Sequence, residues 1–119
     1  MIRTKGPSRG EVWDVRFDPA VGAEMHKIRP AVVISEDAIG RLPLRIVVPI
    51  TDWKASYAGY PWFVHLHANS MNGLSKDSGA DGFQVKSVSV NRLVTLRGTL
   101  TDSQLDDIAS AVALCVGAP

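Results

Sequence analysis

One polar loop in the first half of the chain carries residue types suited to phosphate chemistry. It lies between two apolar runs and places Glu24, His26, Lys27 and Arg29 within six residues. A carboxylate or an imidazole can accept a proton, and a guanidinium offers a rigid fork of donors to two phosphoryl oxygens. A loop acid or histidine is more often simply solvated, and an arginine at a strand start is often paired with an acid. Residue types alone therefore leave both interpretations open.

Thr51 is a second candidate, because it ends the apolar run of residues 47–50. A hydroxyl at the end of a strand can point into a mouth formed by neighbouring loops and hydrogen-bond a phosphate there. Threonine is a poor base, since its pKa lies far above neutrality, so we expect it to donate and to orient. An ordinary threonine in a strand-end turn is the alternative.

Nucleic-acid contacts are suggested by charge distribution more than by total charge. The net charge is only +1, but residues 1–60 hold nine Lys or Arg, against four in residues 61–119. A local basic groove can bind phosphates without a basic isoelectric point. Trp53 could stack on an unpaired base. Lys27, Lys54 and Arg92 are candidate phosphate contacts, and His26 is a further candidate contact in the same loop as Lys27. A solvated surface of mixed charge explains the same residues.

A metal site is not expected from the spacing of potential ligands. His65 and His67 share a face of a predicted strand and could hold a metal together, but no third ligand stands at a suitable spacing in the sequence. Exposed histidines without a ligand are the preferred interpretation, so we assign no metal and no cofactor. The single cysteine, Cys115, cannot form an internal disulfide.

Short strands must position these residues. Alternation and β-branched runs predict about six of them. Pro49 within the third argues for an edge strand or a bulge. The predicted strands cover residues 12–17, 31–35, 44–51, 62–67, 83–88 and 94–99.

One helix is predicted near the C-terminus. Thr101 can cap it and Gln104 completes a capping box, while Gly117 can terminate it. Its apolar stripe includes Leu105 and Ile108, with Cys115 as a packing residue. Many short strands and one terminal helix predict a mainly β fold, a small and strongly bent antiparallel barrel.

Size and composition favour one domain. The chain has 119 residues, of which 45% are hydrophobic and 21% charged. We divide it into a basic lead, residues 1–8, and a single domain, residues 9–117. No apolar run approaches the length of a membrane span and no signal peptide is visible, so we expect a cytoplasmic protein.

A series of short motifs resembles the MazF/PemK family of toxin endoribonucleases. The opening run Arg9-Gly10-Glu11-Val12-Trp13 is followed by Asp18-Pro19, by Gly22 and Glu24, and by Arg29-Pro30 before an apolar strand. Similar family segments follow in order at residues 47–51, 73–78, 81–88, 91–93 and 98–100. Each motif alone is weak, but their order and spacing together are specific. Residues 52–73 match no pattern of the family.

The resemblance implies both a fold and an activity. It implies an SH3-like barrel that forms a homodimer and cleaves single-stranded RNA without a metal, leaving a 2′,3′-cyclic phosphate and a 5′-OH. It also implies a type II toxin–antitoxin system, with an antitoxin whose acidic, disordered tail blocks the RNA groove. In this pattern Arg29 and Thr51 are catalytic, and Glu24 orients Arg29 or accepts the 2′-OH proton. Gln84 resembles the family's glutamine, which implies an RNA contact to a base or to the backbone; an ordinary polar contact within the sheet is the alternative.

Two other classes of function remain open at this point. Toxins of the same fold poison DNA gyrase without cleaving RNA, and they are recognised by a last helix that ends in aromatic and charged residues. The end of this chain, residues 113–119, lacks such residues. An SH3-like binding module without activity would need clustered exposed aromatic residues. Trp53, Tyr57, Tyr60 and Trp62 form the one candidate cluster in the sequence.

Overall fold

A computed structural model describes residues 6–39 and 42–119 of the protein. Residues 1–5 of the predicted lead lie outside the described residues, as does Arg41 of the basic first half. Within the described residues, seven strands precede one α-helix. They are β1 (Glu11–Arg16), β2 (Ile28–Val33), β3 (Leu44–Asp52), β4 (Phe63–Leu66), β5 (Ser78–Asp81), β6 (Lys86–Ser89), β7 (Leu93–Thr99) and α1 (Asp102–Cys115).

The strands form one antiparallel sheet in the order β4-β5-β3-β2-β1-β7, with β6 also paired to β3. Val12 lies opposite Val32, and Val32 lies opposite Val48, so the three side chains share one face. Among the described strands, β4 and β7 are the two end strands of this order and do not pair with each other, so the sheet does not close into a complete barrel. The prediction of a mainly β fold with a C-terminal helix is confirmed, and the sheet is barrel-like but open.

The central strands are buried on both faces. On one face, Val32 and Val48 join a cluster that includes Ile108 of α1. On the other face, Ala31 and Val47 join a second cluster. This explains why residues 31–34 and 47–50 read as continuous apolar runs, since a strand covered on both sides has no polar face. The residues next to these runs, Arg29 and Thr51 among them, are therefore held by rigid elements.

Pro49 does not mark an edge strand, because β3 lies inside the sheet. Its neighbour on one side is β2, where Pro49 lies opposite Ala31. On its other side β3 pairs with β6 through residues 44–47 and with β5 through residues 50–52. Pro49 therefore stands in the interval between two partners, where its missing N–H leaves no gap in either ladder.

The region predicted as a single strand at residues 83–88 is divided in two. A 3-10 turn, Gly82–Gln84, precedes β6. Asp81 caps this turn by accepting a hydrogen bond from the Phe83 N–H at 3.1 Å. The strand just before it, β5, was not predicted, so about six strands become seven.

The predicted helix is confirmed together with its cap. Thr101 Oγ1 accepts from the Gln104 N–H at 3.1 Å, and Gln104 Oε1 accepts from the Thr101 N–H at 3.0 Å. Burial raises the pKa of the Cys115 thiol, and the nearby Asp81 carboxylate adds to the effect, so the thiol stays protonated. In the part of the chain that the structure describes, no helix has the length and apolarity needed to cross a membrane.

Candidate functional site

Arg29 and Thr51 meet at one small cavity of about 190 Å³. Arg29 lies in β2 and Thr51 near the end of β3, and the cavity mouth is completed by the loop of residues 73–77 and by β7. The two residues that the sequence singled out for phosphate chemistry are therefore brought together by neighbouring strands. The lining consists of Arg29, Pro30, Ile50, Thr51, Asp52, Leu74, Ser75, Lys76, Ser78 and Arg97.

The Arg29 guanidinium has an unsatisfied donor. Its Nε is buried and has no hydrogen-bond partner among the described residues. A buried donor without a partner costs about 1–3 kcal/mol of folding free energy. An anion bound in the cavity would remove that penalty by accepting from the guanidinium.

The other two cations of the cavity are already engaged. Arg97 donates to the carbonyl oxygen of Gly73 at 2.8 and 3.1 Å and to Asp14 at 3.1 Å. Lys76 Nζ lies 3.0 Å from a carboxylate oxygen of Asp52. Three cations and one carboxylate line the cavity, which favours an anionic ligand.

Arg97 and Lys76 were not among the predicted site residues. Lys76 belongs to the motif of residues 73–78, which was noted for its resemblance without a role being assigned to it. Arg97 is placed by a long-range contact of the 73–77 loop with β7, which no local pattern reveals. Gly73 permits this contact, because its φ is +66° and a Cβ there would lie 2.2 Å from the Arg97 carbonyl oxygen.

Glu24 lies at a different cavity, of about 460 Å³, together with Phe17, Gln84 and Lys86. Its Oε1 accepts from the Val21 N–H at 2.7 Å, which closes a turn within its own loop. The structure does not bring Glu24 to the lining of the Arg29 cavity. Its predicted role toward Arg29 stays a prediction from the motif.

Gln84 holds the Glu24 loop in place. Its Oε1 accepts from the Met25 N–H at 2.5 Å, and its Nε2 donates to the Ala23 carbonyl oxygen at 3.4 Å. These contacts join residues that are about 60 positions apart in the chain. The amide therefore has a structural function, since it fixes the loop of residues 23–25 against the turn of residues 82–84.

The remaining predicted contacts differ in how strongly they are held. Arg92 is engaged, since it donates to the carbonyl oxygens of Arg16 and Asp18 at 3.0 and 2.6 Å. His26 and Lys54 are exposed, and so is Lys27, whose backbone adopts φ +64° directly before β2. A left-handed lysine is strained, and such strain is common at functional sites.

Trp53 is half-buried and stacks on His65, with ring centroids 3.9 Å apart and planes 4° from parallel. It also meets Tyr57 edge-on at 5.7 Å. One face of the indole is therefore covered by the protein. Any base would have to stack on the remaining surface.

The structure brings a potential third ligand to His65 and His67, although no third ligand stands at a suitable spacing in the sequence. His65 Nε2 and His67 Nδ1 each lie 3.3 Å from an oxygen of Asp77. Although desolvation acts to raise it, hydrogen bonds from the two imidazoles and their charges hold the pKa of Asp77 below its ordinary value. Asp77 is ten residues from His67 in the sequence, across a loop, so the spacing of residues does not predict the cluster.

Comparison with known sequences gives one consistent result. A sequence model of the family described as PemK-like, MazF-like toxin of type II toxin–antitoxin system matches residues 8–116. Endoribonuclease MazF9 of Mycobacterium tuberculosis is 36% identical over 112 residues, which cover 89% of this chain and 92% of the relative. The endoribonuclease toxin MazF of Escherichia coli K12 is 31% identical over 119 residues, 98% of this chain and 100% of the relative.

Solved structures share the fold. MazF from Deinococcus radiodurans has a TM-score of 0.78 at 24% identity, covering 94% of this chain and 97% of that one. An endoribonuclease in complex with its cognate antitoxin, from a mycobacterial species, has a TM-score of 0.74 at 19% identity, covering 96% and 98%. The likeness extends over nearly the whole of each chain.

Proposed function

This chain belongs to the family of PemK-like, MazF-like toxins of type II toxin–antitoxin systems, and we propose that it is an endoribonuclease that cleaves single-stranded RNA at the cavity of Arg29 and Thr51. The observation that carries this proposal is the buried, unpartnered Nε of Arg29 in a cavity lined mainly by cations. A phosphodiester supplies both the negative charge and the acceptor oxygens that this donor lacks. Relatives over nearly the full length are named endoribonucleases.

In this proposal Arg29 binds the scissile phosphate. The 2′-oxygen of the substrate attacks phosphorus and loses its proton, while the bond from phosphorus to the 5′-oxygen breaks and that oxygen gains a proton. Negative charge accumulates on the phosphoryl oxygens in the transition state. A guanidinium held in β2 stabilises this charge without having to reorganise. The products carry a 2′,3′-cyclic phosphate and a 5′-OH.

Thr51 donates a hydrogen bond to the same phosphate. It lies in β3, opposite Gly79 of β5, so its backbone is fixed by the ladder. A threonine hydroxyl keeps its proton near neutral pH and so is not available as an alkoxide base. Its contribution is to orient the phosphate and to stabilise the charge that develops on it. The family pattern implies the Glu24 carboxylate as the acceptor of the 2′-OH proton, but Glu24 lies outside the lining of this cavity, so its substitution tests that role.

The RNA strand is proposed to extend on both sides of the cavity. His26 and Lys27 come shortly before Arg29 in the chain, and Trp53 and Lys54 come just after Thr51. Exposed cations attract the flanking phosphates and the indole stacks on a base. Gln84 and Arg92 contribute indirectly. Gln84 fixes the loop of residues 23–25, and Arg92 fixes the end of β1.

The partners are proposed on the same basis. A mycobacterial structure of this fold contains an endoribonuclease with its cognate antitoxin. An antitoxin with an acidic disordered tail would cover the cationic cavity and exclude RNA. A cytoplasmic location is part of the same proposal, because the RNA and the antitoxin are synthesised there.

A homodimer is proposed from exposed apolar residues near one end of the sheet. Val94 and Leu96 alternate on the end strand β7, and Ile28 opens β2; each of these residues is about half exposed. Mass determination by light scattering checks this, with a value twice that of the chain expected. A monomer at micromolar concentration would contradict it.

The proposed activity is tested by incubating the protein with a long unstructured RNA and analysing the new ends. We expect 5′-OH ends and cyclic phosphates, clustered at a short sequence motif. A substrate with a single 2′-deoxy substitution at the mapped position should remain uncut there. Intact RNA would contradict the proposal and favour a toxin or binding module that is not a nuclease.

A further inference from the structure

Three side chains converge on the surface between β4 and the 73–77 loop. His65 lies within β4, His67 follows its end, and Asp77 directly precedes β5. Each imidazole faces a different oxygen of the carboxylate, at 3.3 Å in both cases. One ligand atom from each residue lies within 4.8 Å of the others. The Arg29 cavity includes none of the three.

We propose that His65, His67 and Asp77 bind a divalent transition-metal cation of the Zn²⁺ class. Zinc binds imidazole nitrogen and carboxylate oxygen at about 2.0–2.2 Å, which separates neighbouring ligand atoms of a tetrahedral site by about 3.3 Å. Each imidazole nitrogen lies at this distance from one oxygen of Asp77, and a set of one ligand atom from each residue lies within 4.8 Å, close enough for a small shift to complete the site. The two nitrogen–oxygen distances are long for charge-assisted hydrogen bonds, which are usually about 2.7–2.9 Å.

The surrounding structure holds the ligands in place. His65 lies opposite Gly79 in the β4–β5 ladder, which fixes β4 relative to the segment that follows Asp77. The Trp53 ring stacks on the His65 ring, with centroids 3.9 Å apart. The backbone N–H of Trp53 donates to the backbone carbonyl oxygen of Asp77 at 3.1 Å. Ligands restrained in this way lose little freedom when they bind a metal.

The site is open and keeps a free coordination position. The side chains of His65, His67 and Asp77 are 34%, 76% and 55% exposed. Three protein ligands leave the fourth position of a tetrahedral metal to water. Solvent can therefore reach the site directly.

The consequence of binding is stabilisation of the 73–77 loop. Ser75 and Lys76, just before Asp77, line the Arg29 cavity. A metal that joins Asp77 to β4 would fix this loop from outside the cavity while contacting none of the residues proposed to bind phosphate. The metal is therefore a structural ligand of the loop, and its binding does not depend on the proposed RNA cleavage.

Calorimetric titration of untagged protein with Zn²⁺, after removal of metals with EDTA, tests the site. The Cys115→Ser background removes the one thiol as a competing ligand. We expect one Zn²⁺ per chain. His65→Ala, His67→Ala and the nearly isosteric Asp77→Asn should each weaken binding by more than about 100-fold, since even outer-shell partners contribute about 10–100-fold.

His26→Ala is the matched control, because His26 is the remaining histidine of the sequence and is also exposed. It should bind Zn²⁺ as the parent does. In the parent, Zn²⁺ should slow hydrogen exchange of residues 73–77, and it should not do so in Asp77→Asn. Absence of binding, or binding that survives all three ligand variants, would overturn the proposal and leave an ion pair between histidines and a carboxylate.

Discussion

The cavity of Arg29 and Thr51 and the cavity of Glu24 and Gln84 use their polar groups differently. At the larger cavity, Gln84 and Glu24 accept hydrogen bonds from the backbone of one loop. At the smaller cavity, Nε of Arg29 is buried without a partner among the described residues. The larger volume therefore belongs to the cavity whose polar residues already stabilise the fold. We therefore use the unsatisfied donor, and not the cavity volume, to choose the candidate site.

Arg29→Ala is expected to have the largest effect. Loss of charge stabilisation in the transition state should lower the cleavage rate by about 10²–10³-fold. Arg29→Lys should also be slow, because it keeps the charge but loses the fork of donors. The measurement is single-turnover cleavage of a fluorogenic RNA that contains the mapped motif.

Two other arginines provide controls for this variant. Arg16→Ala removes an exposed arginine from the neighbouring strand and should leave cleavage nearly unchanged. Arg97→Ala removes hydrogen bonds to Gly73 and Asp14 and should lower the melting temperature, whereas Arg29→Ala should not. A fully active Arg29→Ala protein would remove Arg29 from the site.

Thr51→Ala is expected to have the next largest effect. A hydrogen bond to a charged group is worth about 1.5–3 kcal/mol, which corresponds to about 10–100-fold in rate. The loss should appear in the chemical step, while binding of an uncleavable 2′-deoxy analogue changes little. Thr51→Ser should retain substantial activity. Weakened binding with unchanged cleavage at saturation would reduce Thr51 to a docking residue.

Glu24→Gln tests the contrast between the two cavities most sharply. Because its carboxylate closes a turn beside Val21 and lies outside the Arg29 cavity, we expect less than about a tenfold loss of rate. The pH profile of cleavage should keep its shape. A loss as large as that of Arg29→Ala would show that the loop carries Glu24 into the cavity when RNA binds.

Gln84→Ala should act mainly on stability. Loss of its two loop contacts is expected to lower the free energy of unfolding by about 1 kcal/mol and the melting temperature by a few degrees. Cleavage should fall by no more than a few-fold. Urea unfolding beside the cleavage assay separates these effects, and a large loss of RNA affinity at unchanged stability would assign Gln84 to recognition instead.

Local chemistry explains which elements the sequence predicted correctly. The helix was found together with its cap, because a capping box is formed by residues three positions apart. Strand β5 was missed because its sequence, Ser78-Gly79-Ala80-Asp81, contains no β-branched or aromatic residue. It is a strand because it lies between β3 and β4 and all four of its residues are buried.

In the candidate site, too, residues marked by local motifs were predicted and residues placed by long-range contacts were missed. Arg29 and Thr51 were found from motifs, and the structure brings them to one cavity. Arg97 was missed, because its position depends on a loop that crosses to β7. Asp77 was missed as a neighbour of the histidines, because the β4–β5 ladder creates that proximity. Contacts between distant segments are invisible to spacing rules.

The most direct test of the account is RNA cleavage in excess EDTA. In the proposed mechanism a guanidinium stabilises the phosphate charge, and the metal proposed at His65, His67 and Asp77 only stabilises the 73–77 loop. Wild-type protein stripped of metals should therefore cleave the RNA within about twofold of its rate in the presence of Zn²⁺, while Arg29→Ala stays slow in both. Complete loss of wild-type activity in EDTA, with recovery on adding a divalent cation, would contradict the account.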